Sequence, residues 1–130
     1  MDFRENTTGI QHIGIPTNDI AATIAFYEKP RFETAFRTVN ESSNEKVAFL
    51  KLGNLMIETH ENHQATMKSG AVDHIAIDVK DIDAAYKFIN DNDLNNTNDT
   101  IHFLPFWKNG VSFFNIKCVN NEVIEFSQLL

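Results

Sequence analysis

His12-Ile13-Gly14-Ile15 and His74-Ile75-Ala76-Ile77 are the two stretches whose reading decides the fold. Each places β-branched residues at alternate positions behind a histidine, which is the pattern of a strand. Each is followed by an aspartate, Asp19 or Asp81, and then by an apolar stretch with helical spacing. Residues 12–27 laid over 74–89 give the identities His12/His74, Ile13/Ile75, Ile15/Ile77, Asp19/Asp81, Ile20/Ile82, Ala22/Ala84 and Phe26/Phe88. That is seven of sixteen positions, where chance gives roughly one. Further along, Met56-Ile57-Glu58-Thr59 and Val123-Ile124-Glu125-Phe126 align after a five-residue insertion, through Asn54/Asn121, Ile57/Ile124 and Glu58/Glu125. The chain is therefore one unit written twice, and the repeat fixes the architecture.

Working outward, Ile10 to Ile15 reads as a strand that Pro16 ends. Ile20 to Tyr27 is a helix with Pro30 as its stop. Strands follow over Phe32–Val39, Val47–Leu52 and Leu55–His60, the last two joined by the turn pair Gly53-Asn54. Residues 61–70 are polar and form a linker. The pattern restarts with a strand over Val72–Val79 and a helix over Ile82–Asn90. The run from Asn90 to Asp99 is rich in turn formers and reads as loop. Strands over Ile101–Phe106, Val111–Val119 and Glu122–Leu129 complete the second half. The expectation is a single α+β domain over 1–130, made of a βαβββ module at 9–60 and another at 71–130. Residues 1–8 are expected to be a loose leader.

Composition narrows the function classes. The 130 residues carry a formal net charge of −7, which argues against a nucleic-acid partner and against an anionic membrane surface. The single cysteine, Cys118, allows no intrachain disulfide and reads as a small core residue. No apolar run approaches the roughly 20 residues of a membrane span. The first residues lack the basic start and apolar centre of a signal peptide. A cytoplasmic location is the expectation. Eleven phenylalanines predict an aromatic-rich core.

His12 and His74 occupy one repeat position, and Glu58 and Glu125 another, so each pair shares a direction in its module. Any one of them alone is an ordinary strand residue. The coincidence across the repeat points to a metal site in which each module supplies one His and one Glu. Imidazole and carboxylate donors in this mix suit Zn²⁺, Ni²⁺, Fe²⁺, Mn²⁺ or Co²⁺ rather than Ca²⁺. Four protein ligands on an ion that accepts six leave two positions for a small-molecule substrate. His60 and His63 read as solvated linker residues, with a supporting or alternative ligand role left open. His102 reads as structural. Phe106-Trp107-Lys108-Asn109-Gly110 joins an aromatic, a cation and a glycine, and Trp107 and Lys108 are candidate substrate contacts.

These residues, with Asp19, Phe26-Tyr27, Asp73-His74 and Ile124-Glu125-Phe126, resemble the vicinal oxygen chelate superfamily of glyoxalases, bleomycin-resistance proteins and extradiol dioxygenases. The resemblance runs from about residue 9 to 128. It implies two βαβββ modules forming an open, cupped barrel around a divalent metal, usually in a homodimer. The order His, Glu, His, Glu is most similar to glyoxalase I (lactoylglutathione lyase). That likeness implies His12, Glu58, His74 and Glu125 as ligands. It also implies Glu125 as the base that moves a proton between adjacent carbons through an enediolate. Asn62 fits a glutathione-contacting asparagine. Two positions depart from the pattern: Pro16 stands where an arginine is usual, and Val119-Asn120-Asn121-Glu122 replaces the usual Asp-Pro-x-Gly turn. Fosfomycin-modifying enzymes and dioxygenases use a triad similar to His12, His74 and Glu125, and methylmalonyl-CoA epimerase is similar in architecture. A metal-free binding protein is the remaining alternative.

Overall fold

The computed structural model describes residues 2–130 and divides into two compact units, Met1–Gln64 and Ala65–Leu130. The first contains a short helix α1 (Phe3–Asn6), β1 (Ile13–Thr17), α2 (Ile20–Glu28), β2 (Glu33–Asn40), β3 (Glu45–Leu52) and β4 (Leu55–Glu61). Its sheet has the order β1-β4-β3-β2, with β1 parallel to β4 and the other pairs antiparallel. The second contains β5 (His74–Asp78), α3 (Ile82–Asp91), β6 (His102–Leu104), β7 (Val111–Lys117) and β8 (Val123–Leu129). Its sheet has the equivalent order β5-β8-β7-β6. Both units are thus βαβββ, and the class is α+β.

The helices start where the sequence places their caps. Asp19 accepts a bond from the Ala22 N–H and Asp81 from the Ala84 N–H, each at 3.0 Å. A second tie is also repeated. The Ile20 N–H donates to Glu61 at 2.9 Å, and the Ile82 N–H donates to Gln128 at 2.8 Å. Glu61 and Gln128 lie near the ends of β4 and β8, so the last strand of each unit holds the first turn of its helix.

In the first unit, α2 buries Ile20, Ile24 and Tyr27 against Ile15, Ala48, Leu50 and Ile57 of the sheet. In the second, Ile82 and Ile89 of α3 cover a layer of Phe114, Ile116, Ile124 and Phe126. Phe114 stacks on Phe126 at 5.2 Å and meets Tyr86 edge-on at 5.1 Å. One face of each sheet is therefore spent on the core, and the opposite face carries the polar candidates. Cys118 is buried, as expected of a small core residue.

Three local expectations change, and a bulge is added. Pro16 lies inside β1 rather than ending it. The strand tolerates it because β1 is the edge of its sheet, with a partner on one side alone. The leader contains α1, capped by Asp2 on the Arg4 N–H. A bulge between Thr34 and Phe36 of β2 flips the alternation, so that Phe36, Thr38 and Asn40 turn away from α2. Finally, β6 is three residues long instead of six. Beyond it the Asn-rich loop takes over the edge of β7 with side chains. Asn96 bonds both the N–H and the C=O of Lys117, Thr97 donates to the Asn115 C=O, and Asp99 accepts from the Asn115 N–H.

Asp99 carries the most bonds in this loop. It also accepts from His102 at 2.6 Å and from the Thr100 N–H. Burial pushes its carboxyl up. The bond from His102, with those from the Asn115 and Thr100 backbone, outweighs burial and holds it below the usual carboxylate range. Asp99→Ala is expected to lower stability by about 1–3 kcal/mol, because it leaves the Asn115 N–H without its acceptor. A carboxyl lowered by folding stabilises above its unfolded value and loses that contribution as the pH falls through its folded value. The difference between wild type and variant should therefore shrink below about pH 4. Urea titrations at neutral and acid pH measure both effects.

Candidate metal centre

The parallel register of β1 and β4 sets Gly14 beside Glu58. Ile57 and Thr59 point to the helix side and are fully buried, so Glu58 faces the other way. His12 stands just before β1, two residues from Gly14 and on the same face. Its Nε2 lies 3.7 Å from Glu58 Oε2. The second unit repeats the arrangement. Ala76 pairs with Glu125, His74 opens β5, and His74 Nε2 lies 3.3 Å from Glu125 Oε2. The residue beside each carboxylate is small in both units.

The far side of each imidazole is also held alike. His12 Nδ1 donates to the Gln11 side-chain oxygen and His74 Nδ1 to Asp73, both at 2.9 Å. Gln11 and Asp73 are repeat-related, each directly preceding its histidine. In the neutral ring with its proton on Nδ1, Nε2 keeps a lone pair toward the carboxylate, the form in which it can bind a cation; in the charged ring it donates to that carboxylate. An oxygen acceptor orienting the back of a metal-binding histidine is the usual support for that role. Two donors about 2.1 Å from one ion, at angles between octahedral and tetrahedral, lie roughly 3.0–3.4 Å apart. His74 and Glu125 have that separation, and His12 and Glu58 reach it by closing about 0.3 Å. The donor chemistry and spacing fit a divalent transition ion. Among the described residues no group of three or more His, Cys, Asp or Glu side chains that could hold a metal ion is present.

His60 differs from its reading as a linker residue. β4 continues to Glu61, because Pro16 and Thr17 of β1 pair with His60 and Glu61. His60 thus shares the face of Glu58, with Nδ1 3.7 Å from Glu58 Oε1. That nitrogen is buried and makes no hydrogen bond. His63 follows the strand, is well exposed, and lies 3.6 Å from Glu61. His102, in β6, is bound to Asp99. Asn62 folds back on the chain, accepting from the Gln64 N–H at 2.9 Å. Trp107 and Lys108 lie in the loop between β6 and β7, and Trp107 is 79% exposed. Gly110 closes that loop at φ +96°, where a Cβ would collide with the Phe103 ring. The structure therefore pairs His12 with Glu58 and His74 with Glu125, while Asn62, Trp107 and Lys108 lie outside both pairs. Sequence reasoning passed over Gln11 as a histidine partner. The signal was available, since a polar side chain precedes each repeated histidine.

A sequence profile of the glyoxalase/bleomycin resistance protein/dioxygenase superfamily matches residues 11–103. The chain belongs to that superfamily. No curated protein matches it significantly. Among solved structures it is similar to a glyoxalase family protein from Enterococcus faecalis, at 21% identity and a TM-score of 0.72 over 92% of this chain and 96% of that one. It is similar to the fosfomycin resistance protein FosX from Listeria monocytogenes, complexed with Mn(II) and sulfate, at 17% identity and a TM-score of 0.69 over 95% and 94% of the two chains. A glyoxylase/bleomycin resistance protein/dioxygenase domain from Frankia sp. EAN1pec matches at 16% identity and a TM-score of 0.73 over 94% and 92%. These likenesses give the glyoxalase-like fold. The superfamily includes metalloenzymes, FosX with its Mn(II) among them. Among the described residues no helix is long and apolar enough to cross a membrane.

Proposed function

We propose that this chain is a divalent-metal-dependent lyase or isomerase of the glyoxalase type, acting on a small oxygen-chelating substrate. The observation that carries the reading is the twin His–Glu pair, with each imidazole held from behind by the residue before it. His12, Glu58, His74 and Glu125 are the assigned ligands. The ion, one of Zn²⁺, Ni²⁺, Fe²⁺, Mn²⁺ or Co²⁺, would serve as a Lewis acid toward two vicinal substrate oxygens. The family resemblance makes a homodimer the expected working form.

Glu125 is assigned the proton transfer. Its side chain is 16% exposed against 28% for Glu58, so water competes less for its oxygens. In the reaction it takes the proton from a carbon next to a carbonyl and returns it to the neighbouring carbon. His74, tied to Asp73, keeps Nε2 directed at Glu125 throughout. Trp107 is assigned to the apolar part of the substrate, Lys108 to a carboxylate on it, and Asn62 to its polar tail.

The test is metal analysis of the purified protein, followed by a substrate panel of methylglyoxal with thiols, methylmalonyl-CoA and catechols. Stoichiometric divalent metal is expected, with loss on His12→Ala and on His74→Ala. Metal content indifferent to both substitutions sinks the assignment.

A further inference from the structure

The face of the first sheet that turns away from α2 carries an open cleft of about 490 Å³. Thr38 and Asn40 of β2, Glu45, Val47 and Phe49 of β3, and Glu58 and His60 of β4 line it. The strand registers explain the set. Thr38 pairs with Val47, Asn40 with Glu45, Val47 with His60, and Phe49 with Glu58. The bulge at β2 is what brings Thr38 and Asn40 to this side. Without it they would face the helix.

The chemistry of the lining is one-sided. Two carboxylates, Glu45 and Glu58, stand among hydroxyl, amide and imidazole groups, and no lysine or arginine lines the cleft. Lys51 shares the face but is six residues from Glu45, roughly 20 Å along the strand. Asn40 has its side-chain oxygen committed to Ser42. Phe49 and Val47 supply an apolar floor, with Phe49 braced edge-on by His12 at 5.5 Å. Such a lining favours a group that donates hydrogen bonds and disfavours an anion.

We propose that this cleft receives a hydrogen-bond-donating arm of the substrate, an ammonium or a hydroxyl group, with Glu45 as the carboxylate that selects it. Glu58 sits at the junction, one oxygen toward His12 and the other toward His60. The arm would therefore extend from the metal pair of the first unit toward Glu45. The inference rests on the metal assignment for the anchoring end alone, where an ion would offset the charge of Glu58; the cleft and the charge of Glu45 stand without it.

Three linear hydroxamates ending in an ammonium, a hydroxyl or a carboxylate group provide the test, since a hydroxamate offers two vicinal oxygens to a metal. They are titrated calorimetrically into the Zn²⁺-loaded protein, and the metal-free protein is followed by amide chemical shifts. The ammonium and hydroxyl probes are expected to bind about tenfold more tightly than the carboxylate probe. Glu45→Gln should bring the ammonium-to-carboxylate ratio to about threefold or less. In the metal-free protein, amides between residues 38 and 49 should shift with the ammonium probe and stay in place with the carboxylate probe. Equal affinities for the three probes, or a ratio unmoved by Glu45→Gln, overturns the cleft assignment and leaves the metal reading standing. Affinity that ignores metal while the 38–49 amides still move overturns the metal reading and leaves the cleft standing. Silence in both readouts overturns both.

Discussion

Glu125→Gln is expected to lower turnover by roughly 100- to 10,000-fold, the range spanned by loss of a positioned acid–base group. The substitution keeps shape and volume but removes the atom that takes the proton. It should leave the fold largely intact. Residue 125 is held in β8 through backbone pairing to Ala76 on one side and Asn115 on the other, and neither contact uses the carboxylate. The second unit's core is on the opposite face and is untouched. The decisive comparison is kcat against thermal unfolding on the same preparation. A variant that turns over within about threefold of wild type removes Glu125 from the chemistry, whatever the metal content. A variant that is inactive and unfolded says nothing of catalysis, so Glu125→Asp is the companion. It retains a carboxylate and should recover part of the rate if proton transfer is the role.

Phe114→Ala should destabilise the second unit by about 3–5 kcal/mol. Phe114 is fully buried at the centre of β7 and touches rings on two sides, Phe126 from β8 and Tyr86 from α3. Truncation removes the transfer energy of the ring and leaves a cavity that two rigid aromatics cannot collapse into. The hydroxyl of Tyr86 donates to the Asp99 carbonyl, so loosening the ring stack also loosens the loop that borders β7. Amide exchange should accelerate across β7, β8 and residues 95–99 together. Phe114→Leu keeps much of the volume and should cost less. Equal losses in the two variants argue that ring packing is not what Phe114 contributes.

The architecture was legible because it is stated twice. Periodicity alone leaves a short apolar run such as His74–Ile77 ambiguous, and the matching run at His12 with its downstream aspartate removes the ambiguity. The adjacency of β3 with β4 and of β7 with β8 followed from the turn at Gly53-Asn54 and its counterpart at Asn120-Asn121, while the parallel pairings of β1 and β5 did not. What could not be read were contributions that depend on a partner elsewhere in the chain. Pro16 reads as a terminator until β1 is known to be an edge. His60, the last residue of the strand expected over Leu55–His60, reads as solvated until its pairing with Pro16 sets it on the face of Glu58. The three-residue β6 follows from Asn96, Thr97 and Asp99 substituting for a strand, which no local pattern announces.

The same division holds at the candidate site. The His and Glu positions emerge from the repeat, because two independent copies carry them. Gln11 and Asp73 differ in residue type, so identity matching passes over them although both do the same work. The cleft is further from reach. Thr38, Asn40 and Glu45 look like residues of a polar hairpin, and one extra residue in β2 decides which face they serve.

The side-chain border on β7 also bears on solubility. A sheet whose last strand is three residues long leaves most of its neighbour's polar backbone open to recruitment by a stranger's extended chain. Here Asn96, Thr97 and Asp99 occupy those groups at residues 115 and 117. They satisfy the backbone without presenting a new ladder of their own, so this stretch of β7 is closed to pairing with a stranger's strand.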